Sequence, residues 1–325
     1  MANVDLLSLE PTTISRDLRG KYVLLYGAPK VGKTTFASSF PKNIFLSTEQ
    51  GVNALPSVYS VNIDTWGTFM NVLRQLRKEE VQEKYNTITI DTITILWDLC
   101  EKYICQQNDV ENIGQIPYGG GYSQLSKTFS EAMRQITLMP YGLVLIAHSE
   151  TSVRKNPHTG EDEEFVRPSL NKRCYAVANR LVDAIIYIDN YFDEEGVSVR
   201  RMITRETPTV FAGSRFRFLA PIINDFGYQP FADALYDAIE MEGKMGATVV
   251  DTPDQRGTPG RNFDEVMEEA AGVWKQLLME DEGNIERMVA ITEQIFGRAT
   301  KLSTVSPHQQ ELLELAVSEL KNLLK

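Results

Sequence analysis

The segment that most limits how this chain can fold is the eight-residue run GAPKVGKT at positions 27–34. It matches the phosphate-binding pattern G-x-x-x-x-G-K-[ST], which requires a strand before it and a helix after it. Both flanks meet that requirement, because residues 22–26 (YVLLY) are typical of a buried strand and a helix is predicted from Lys33 to Phe40, where Pro41 ends it. The sequence therefore predicts an α/β core whose first loop wraps a polyphosphate.

The residue types of this loop suit a nucleotide. Glycines at 27 and 32 let the backbone approach phosphates and point its N–H groups inward, and the helix N-terminus adds a partial positive charge. Lys33 is expected to reach the β- and γ-phosphates, and Thr34 to offer a hydroxyl to Mg²⁺. The alternative is a glycine-rich turn at a strand end. The predicted nucleotide-binding residues are Gly27, Ala28, Pro29, Lys30, Val31, Gly32, Lys33, Thr34 and Thr35.

Length and composition predict two units. At 325 residues, the chain is long enough for one α/β domain and a smaller module. We expect the domain at 1–242, a linker with four glycines and two prolines at 243–262, and a helical module with three helices near 263–279, 283–297 and 307–324. The module holds twelve acidic and six basic residues, so it carries over half of the net charge of −11.

No segment predicts export or membrane insertion. The N-terminus has no basic region followed by an apolar stretch, and no apolar run is long enough to span a bilayer. The three cysteines, Cys100, Cys105 and Cys174, lack metal-ligand spacing and are expected to be reduced. We therefore expect a cytoplasmic protein without a membrane partner.

The first 150 residues alternate strands and helices. Strands are predicted at 22–26, 44–48, 87–90 and 142–147, with a helix between each pair. This rhythm predicts a mostly parallel sheet with helices on both faces. Two stretches, 106–121 and 149–173, lose periodicity, and loops of that length inside a domain are usually functional or disordered.

Three polar residues follow predicted strands and are candidates for chemistry at the phosphate loop. Asp91 is expected to hold Mg²⁺ together with Thr34, the alternative being a helix cap. Glu49 is the candidate base for the attacking water, or else a solvated loop residue; the role requires its strand to lie near the first strand. His148 would either sense the γ-phosphate or satisfy a buried backbone group.

These residues resemble a known family. The P-loop after the first strand, the acid in Ser-Thr-Glu49, the Thr-Ile-Asp91 ending and the Ala-His148 ending are similar to RecA-like P-loop ATPases, and among them to phage nucleotide-binding ATPases linked to single-strand annealing recombination. The resemblance spans roughly 18–240. It implies ATP and Mg²⁺ as cofactors, Glu49 as the catalytic glutamate, and His148 as a link to a DNA-binding loop, although RecA itself typically has glutamine there.

The same resemblance implies partners. RecA-like ATPases form rings or filaments in which a neighbour's arginine reaches ATP, and Arg205 and Arg215 are the candidates, unless each forms a surface ion pair. The loops at 106–121 and 149–173 would face single-stranded DNA. Tyr118 and Tyr122 would stack on bases, or would instead pack against the following helix.

Two functions remain open at this point. The first is an ATPase of phage-type recombination or replication that couples ATP state to binding or annealing of single-stranded DNA. The second is a nucleotide-switched loader or assembly factor whose acidic helical tail recruits a protein. A small-molecule kinase would need an acceptor pocket, for which the sequence has no signature.

Overall fold

The computed structural model of the chain describes residues 11–156, 159–252, 263–281, 283–298 and 300–324. The chain divides into two compact units, of which one is Thr12–Thr258 and the other contains the C-terminal helices. No helix within the described ranges combines the length and apolarity needed to cross a membrane.

The first unit alternates strands and helices over most of its length, as the sequence predicts. Its strands are β1 (Ile14–Ser15), β2 (Tyr22–Gly27), β3 (Asn43–Ser47), β4 (Tyr59–Asn62), β5 (Thr87–Asp91), β6 (Gly142–Lys155), β7 (Asp162–Pro168), β8 (Ala184–Phe192), β9 (Ser198–Ile203), β10 (Gly213–Ser214), β11 (Ile222–Ile223) and β12 (Val249–Val250). Its helices are α1 (Lys33–Ser38), α2 (Trp66–Gln75), α3 (Glu79–Lys84), α4 (Ile93–Gln107), α5 (Gly120–Thr137), α6 (Lys172–Leu181) and α7 (Tyr228–Lys244).

The central sheet is mostly parallel, which confirms the predicted fold class. Its order is β11-β9-β8-β2-β6-β5-β3-β4 among the described strands, and β8 through β4 in that order run parallel to one another. The antiparallel strand β9 extends the sheet beyond β8, and β10 pairs with β8 off the main path. The edge strand β4, whose residues are mostly exposed, has no counterpart among the predicted strands.

Alternate residues of each parallel strand serve opposite faces of the sheet. Leu24 of β2 packs with the helices α2, α4, α5 and α6 on one face, whereas Leu25 packs with α1 and α7 on the other. Both leucines are fully buried. Burial on both faces explains why β2 and residues 142–147 of β6 are continuous apolar runs rather than alternating ones.

The stretch at 149–173, predicted to be irregular, is mostly a β-hairpin. Strand β6 continues past the central sheet to Lys155 and pairs antiparallel with β7, from Ser149 opposite Pro168 to Lys155 opposite Asp162. Asn171 then begins α6 as its N-cap by accepting bonds from two backbone N–H groups. The expectation of a long loop here is therefore wrong.

The first part of the predicted linker at 243–262 is structured. Helix α7 continues to Lys244, and β12 pairs with β1 at the register Ile14 to Val249. Arg16 strengthens this junction with ion pairs to Glu240 and Asp251. The remainder of the predicted linker, 253–262, lies outside the described residues.

The second unit contains the three predicted helices, which are α8 (Phe263–Glu280), α9 (Asn284–Phe296) and α10 (Gln310–Asn322). Apolar side chains at helical spacing form its core, with Val266, Leu277, Met288 and Leu313 fully buried. A periodic apolar stripe on each helix is what allowed the sequence to predict them.

Candidate nucleotide site

The phosphate loop joins the end of β2 to the start of α1. Gly27 is the last residue of β2 and lies between His148 of β6 and Ile188 of β8 in the sheet. A Cβ atom at Gly27 would come within 2.9 Å of the Ile188 carbonyl oxygen, so only glycine fits here. Gly32, which precedes α1, has a φ of 106°, a conformation that favours glycine. Both motif glycines are thus required by the backbone itself.

Lys33 is held in the centre of the loop. Its ammonium group donates hydrogen bonds to the carbonyl oxygens of Gly27 at 3.0 Å and Ala28 at 2.9 Å. The residue is buried, and this burial lowers the pKa of Lys33, while the charges of Asp91 and Glu49 oppose the shift. A phosphate anion would favour the charged form further, so this lysine suits the role predicted for it.

Thr34 and Asp91 lie together and fit a Mg²⁺ ion. Thr34 Oγ1 donates to Asp91 Oδ2 at 2.8 Å. A Cβ atom on Gly51 would lie 3.6 Å from both oxygens, so the turn Gln50–Ala54 passes close to the pair. Hydroxyl and carboxylate oxygens are the ligands that Mg²⁺ prefers, with phosphate and water completing its shell. A bound Mg²⁺ would neutralise phosphate charge, and the residues present fit that role.

The part of the chain that the structure describes holds no larger metal-binding cluster beside this pair. Within the described ranges, no group of three or more His, Cys, Asp or Glu side chains could hold a metal ion. A site with one carboxylate and one hydroxyl is typical of Mg²⁺ that is shared with a nucleotide, rather than of a metal cage made by protein alone.

Burial also affects Asp91. It raises the pKa of the Asp91 carboxyl, with a smaller contribution in the same direction from Glu49, whereas the Thr34 hydrogen bond and the charge of Lys33 lower it. The ionised form of Asp91 is therefore unfavourable in the protein alone, and a bound cation would stabilise it.

His148 lies between Lys33 and Glu49. Its Nδ1 is 3.5 Å from Lys33 Nζ, and its Nε2 is 3.6 Å from Glu49 Oε1. An ammonium group can only donate, so the tautomer that fits this contact carries its proton on Nε2, facing Glu49. Thr92 Oγ1 donates to the same Glu49 oxygen at 3.2 Å, which positions the carboxylate. The four side chains form one polar chain beside the P-loop.

The route that brings Glu49 here differs from the one expected. Strands β2 and β3 are not neighbours, because β6 and β5 lie between them. Glu49 follows β3 and approaches the P-loop across the ends of β5 and β6, through Thr92 and His148. Because the carboxyl ends of parallel strands share one edge, Glu49 lies at the edge of the P-loop although two strands lie between β2 and β3.

Among the described contacts, the two candidate finger arginines bond to groups outside the P-loop of their own chain. Arg215 pairs with the buried Asp183 at 3.1 Å and donates to the Arg180 carbonyl at 2.7 Å. Asp183 also accepts from the N–H of Tyr22, the first residue of β2, so Arg215 sits at the opposite end of that strand from the P-loop. Arg205 is exposed and donates to the Arg217 carbonyl at 3.3 Å.

One arginine beside the loop was not singled out from the sequence. Arg200 of β9 donates to the Val31 carbonyl oxygen at 3.2 Å, and its guanidinium lies 4.5 Å from the ring centre of Phe226. It belongs to a basic stretch, 200–218, that holds five arginines and a single acidic residue. The position of Arg200 beside the P-loop depends on the register of β9 against β8, which no local sequence pattern predicts.

The candidate DNA-contacting tyrosines have different surroundings. Tyr118 is fully exposed and has a φ of 56°, in the turn before α5. Tyr122, in the first turn of α5, is partly exposed and has the Arg173 guanidinium 4.9 Å from its ring centre. Tyr118 therefore does not pack against the following helix, which was its alternative interpretation.

Comparison with known proteins gives two matches. Residues 19–216 match the family described as AAA domain, and this range is more than half of the chain. The SPbeta prophage-derived uncharacterized protein YorG of Bacillus subtilis (strain 168) is 24% identical over 330 residues, covering 99% of this chain and 99% of that protein. The family range encloses the P-loop, Glu49, Asp91 and His148. The chain therefore belongs to the AAA domain family, in which nucleotide hydrolysis is the general activity.

Proposed function

We propose that this protein is an ATPase of phage-type DNA recombination or replication, in which ATP state controls binding or annealing of single-stranded DNA. One observation carries the proposal: His148 contacts both Lys33 and Glu49, and it lies on a strand that continues out of the nucleotide site into the β6–β7 hairpin. The same residue thus touches the catalytic groups and the element proposed to face DNA.

Hydrolysis would use Glu49 as the base. Its carboxylate accepts from Thr92 and lies beside His148, so it is held in place at the edge where the γ-phosphate would lie. Glu49 would take a proton from the attacking water, while Lys33 offsets the charge of the phosphate oxygens. Thr34 and Asp91 would hold the Mg²⁺ ion.

Coupling would run along β6. The first six residues of this strand are buried in the central sheet, His148 pairs there with Gly27, and the residues from Ser149 onward form the hairpin with β7. A change at His148 when the γ-phosphate is lost would therefore move the start of the hairpin directly. A rigid paired strand transmits such a displacement better than an irregular loop would.

DNA contact would rest on stacking more than on charge. Tyr118 offers a free ring face, and the adjacent Tyr122 and Arg173 pair an aromatic ring with a cation. By contrast, two hairpin arginines are engaged by carboxylates, Arg154 with Glu206 and Arg167 with Glu150, each at 2.9 Å or less. Single-strand binders commonly stack bases on exposed aromatic side chains.

The relative YorG is prophage-derived by its name, which supports a phage-type role. We propose a ring or filament in which a neighbour's arginine completes the site. Arg205 is the better candidate, because Arg215 would first have to leave its bonds to Asp183 and Arg180.

ATPase rates in the presence of different nucleic acids test the main proposal. We expect hydrolysis to be stimulated several-fold by single-stranded DNA and little by double-stranded DNA or RNA. His148→Ala should keep nucleotide binding but lose the stimulation, and exposed Lys127→Ala serves as the control for loss of a side chain elsewhere. Equal rates with and without single-stranded DNA would exclude the coupling.

A second function, a nucleotide-switched loader, is favoured by a groove on the C-terminal unit. The groove has a volume of about 600 Å³ and is lined by Trp274, Leu278, Val289 and Leu302. Val289 is partly exposed, so an apolar face is open to solvent. Apolar grooves on helical modules commonly receive a helix of a partner protein.

Removal of residues 263–325 separates the two functions. The deletion keeps β12, which pairs with β1 in the first unit. If the protein is a loader, it should lose a partner while ATP hydrolysis is retained. If the main proposal holds, DNA-stimulated hydrolysis should survive the deletion within about twofold.

A further inference from the structure

Arg200 connects an antiparallel strand of the sheet to the phosphate loop. It lies on β9 opposite Asn190 of β8, and its Nη1 donates to the carbonyl oxygen of Val31, which is 169 positions earlier in the chain. The guanidinium is also 4.5 Å from the centre of the Phe226 ring, within the range of a cation–π contact. These two contacts fix the direction of a side chain that is otherwise exposed.

The accepting carbonyl has a special position in the loop. It belongs to the peptide between Val31 and Gly32, immediately before Lys33. A trans peptide is planar, and its C=O and N–H groups point in opposite directions. A donor that holds the Val31 carbonyl from outside the loop therefore directs the N–H of Gly32 toward the inside, where a P-loop receives phosphate oxygens.

Packing around Gly32 agrees with this geometry. A Cβ atom on Gly32 would come within 2.6 Å of Arg200 Nη1 and 3.3 Å of the Phe226 ring. Phe226 lies 5.6 Å from Phe36 of α1, ring centre to ring centre. Arg200 and Phe226 thus cover the outer side of the loop and join it to the helix that follows.

We propose that Arg200 is a positioning residue of the nucleotide site, which orients the Val31–Gly32 peptide so that its N–H binds phosphate. The inference rests on the nucleotide site proposed above. Arg200 acts through the backbone of the loop and does not itself need to touch the reacting atoms. It should therefore affect the binding of ADP and ATP by a similar factor and affect the chemical step much less.

The test compares Arg200→Ala, Arg200→Lys and Arg201→Ala. Arg201 is the matched control, because it is the next residue of β9 and pairs instead with Asp189 at 2.9 Å. Dissociation constants of ADP and of a non-hydrolysable ATP analogue are measured by calorimetry, and kcat by steady-state hydrolysis. We expect Arg200→Ala to bind both nucleotides about tenfold more weakly with kcat reduced less than threefold.

The conservative variant and a P-loop variant make the outcome decisive. Arg200→Lys keeps a donor and should recover part of the affinity, while Arg201→Ala should bind as the wild type does. Unchanged affinity in Arg200→Ala, or a large fall in kcat at constant affinity, would overturn the inference. If Lys33→Ala also binds nucleotide normally, the proposal of a nucleotide site at this loop is itself wrong.

Discussion

Thr34 Oγ1 donates a 2.8 Å hydrogen bond to Asp91 Oδ2, and this bond joins the first turn of α1 to the last residue of β5. Two oxygen atoms of the kind that Mg²⁺ prefers are thereby held side by side. The carboxylate is buried and its pKa is raised, so its charge is unfavourable in the protein alone. Keeping this carboxylate in place for the proposed metal ion therefore lowers the stability of the metal-free protein.

Asp91→Asn is accordingly expected to stabilise the metal-free protein. The neutral amide avoids burying a charge and can still accept from Thr34, so the free energy of unfolding in EDTA should rise by about 1 kcal/mol. Mg²⁺-dependent ATP hydrolysis should fall at least a hundredfold. Urea unfolding and steady-state hydrolysis measure the two effects, with exposed Asp64→Asn as the control.

The difference in stability between the wild-type protein and Asp91→Asn is expected to depend on pH. Because the folded pKa of Asp91 lies above its unfolded value, the folded state binds the proton more tightly. The contribution of Asp91 to stability is therefore full at low pH and is lost as the pH rises through the unfolded and then the folded pKa. The stability gain of Asp91→Asn should shrink on acidification, and a gain that grows would contradict this account.

Glu49→Gln should separate binding from hydrolysis. The amide keeps the size of the side chain and its contacts with Thr92 and His148, but it cannot take a proton from water. We expect kcat to fall about 10²- to 10³-fold while the dissociation constant of ATP changes less than threefold. Single-turnover hydrolysis and analogue binding measure these quantities, and Glu79→Gln on α3 is a solvent-exposed control. Hydrolysis close to the wild-type rate would remove Glu49 from the role.

Tyr118→Ala should weaken DNA binding without affecting the fold. The ring is fully exposed, so its loss should leave the melting temperature within about 1 °C. If it stacks on a base, the affinity for single-stranded DNA should fall about 5- to 100-fold. Fluorescence anisotropy with a labelled oligonucleotide measures this, with the exposed Tyr59→Ala as the matched control. Equal affinities for the two variants would argue against stacking by Tyr118.

Arg205 and Arg215 should respond differently to alanine substitution. Arg215→Ala removes one of the partners of Asp183 and should lower the free energy of unfolding by about 1–2 kcal/mol, a reduced value because Arg215 is itself half exposed. Arg205→Ala should change it by less than about 0.5 kcal/mol. If Arg205 reaches a neighbour's ATP, its variant should lose hydrolysis at every protein concentration. A fully active Arg205→Ala would exclude it as a finger.

The sequence was most informative where a single residue type is required by backbone geometry. Gly27 and Gly32 marked the P-loop because no Cβ atom fits at either position. Asp91 and Glu49 were found because carboxyl ends of parallel strands share one edge. The order of the strands could not be predicted from the sequence. Strands β6 and β5 lie between β2 and β3 because of contacts that no local pattern encodes.

The hairpin at 149–168 shows why other features were missed. Its strands are polar on both faces, with Val153, Phe165 and Val166 as their only apolar positions, so the alternation that signals a strand is weak. The contact of Arg200 with the P-loop could not be predicted from the sequence for a related reason. Its sequence neighbours indicate a basic stretch, and only the register of β9 against β8 distinguishes it from Arg201.

Strand β1 pairs with β12, so the two ends of the ATPase unit lie beside each other, with Ile14 opposite Val249. Arg16 binds residues near the far end of the unit as well. A domain whose entry and exit are adjacent can be inserted into, or fused with, another sequence without stretching its own fold. The segments attached to the two ends of the unit therefore leave it on the same side, and a change in their length does not have to disturb the central sheet.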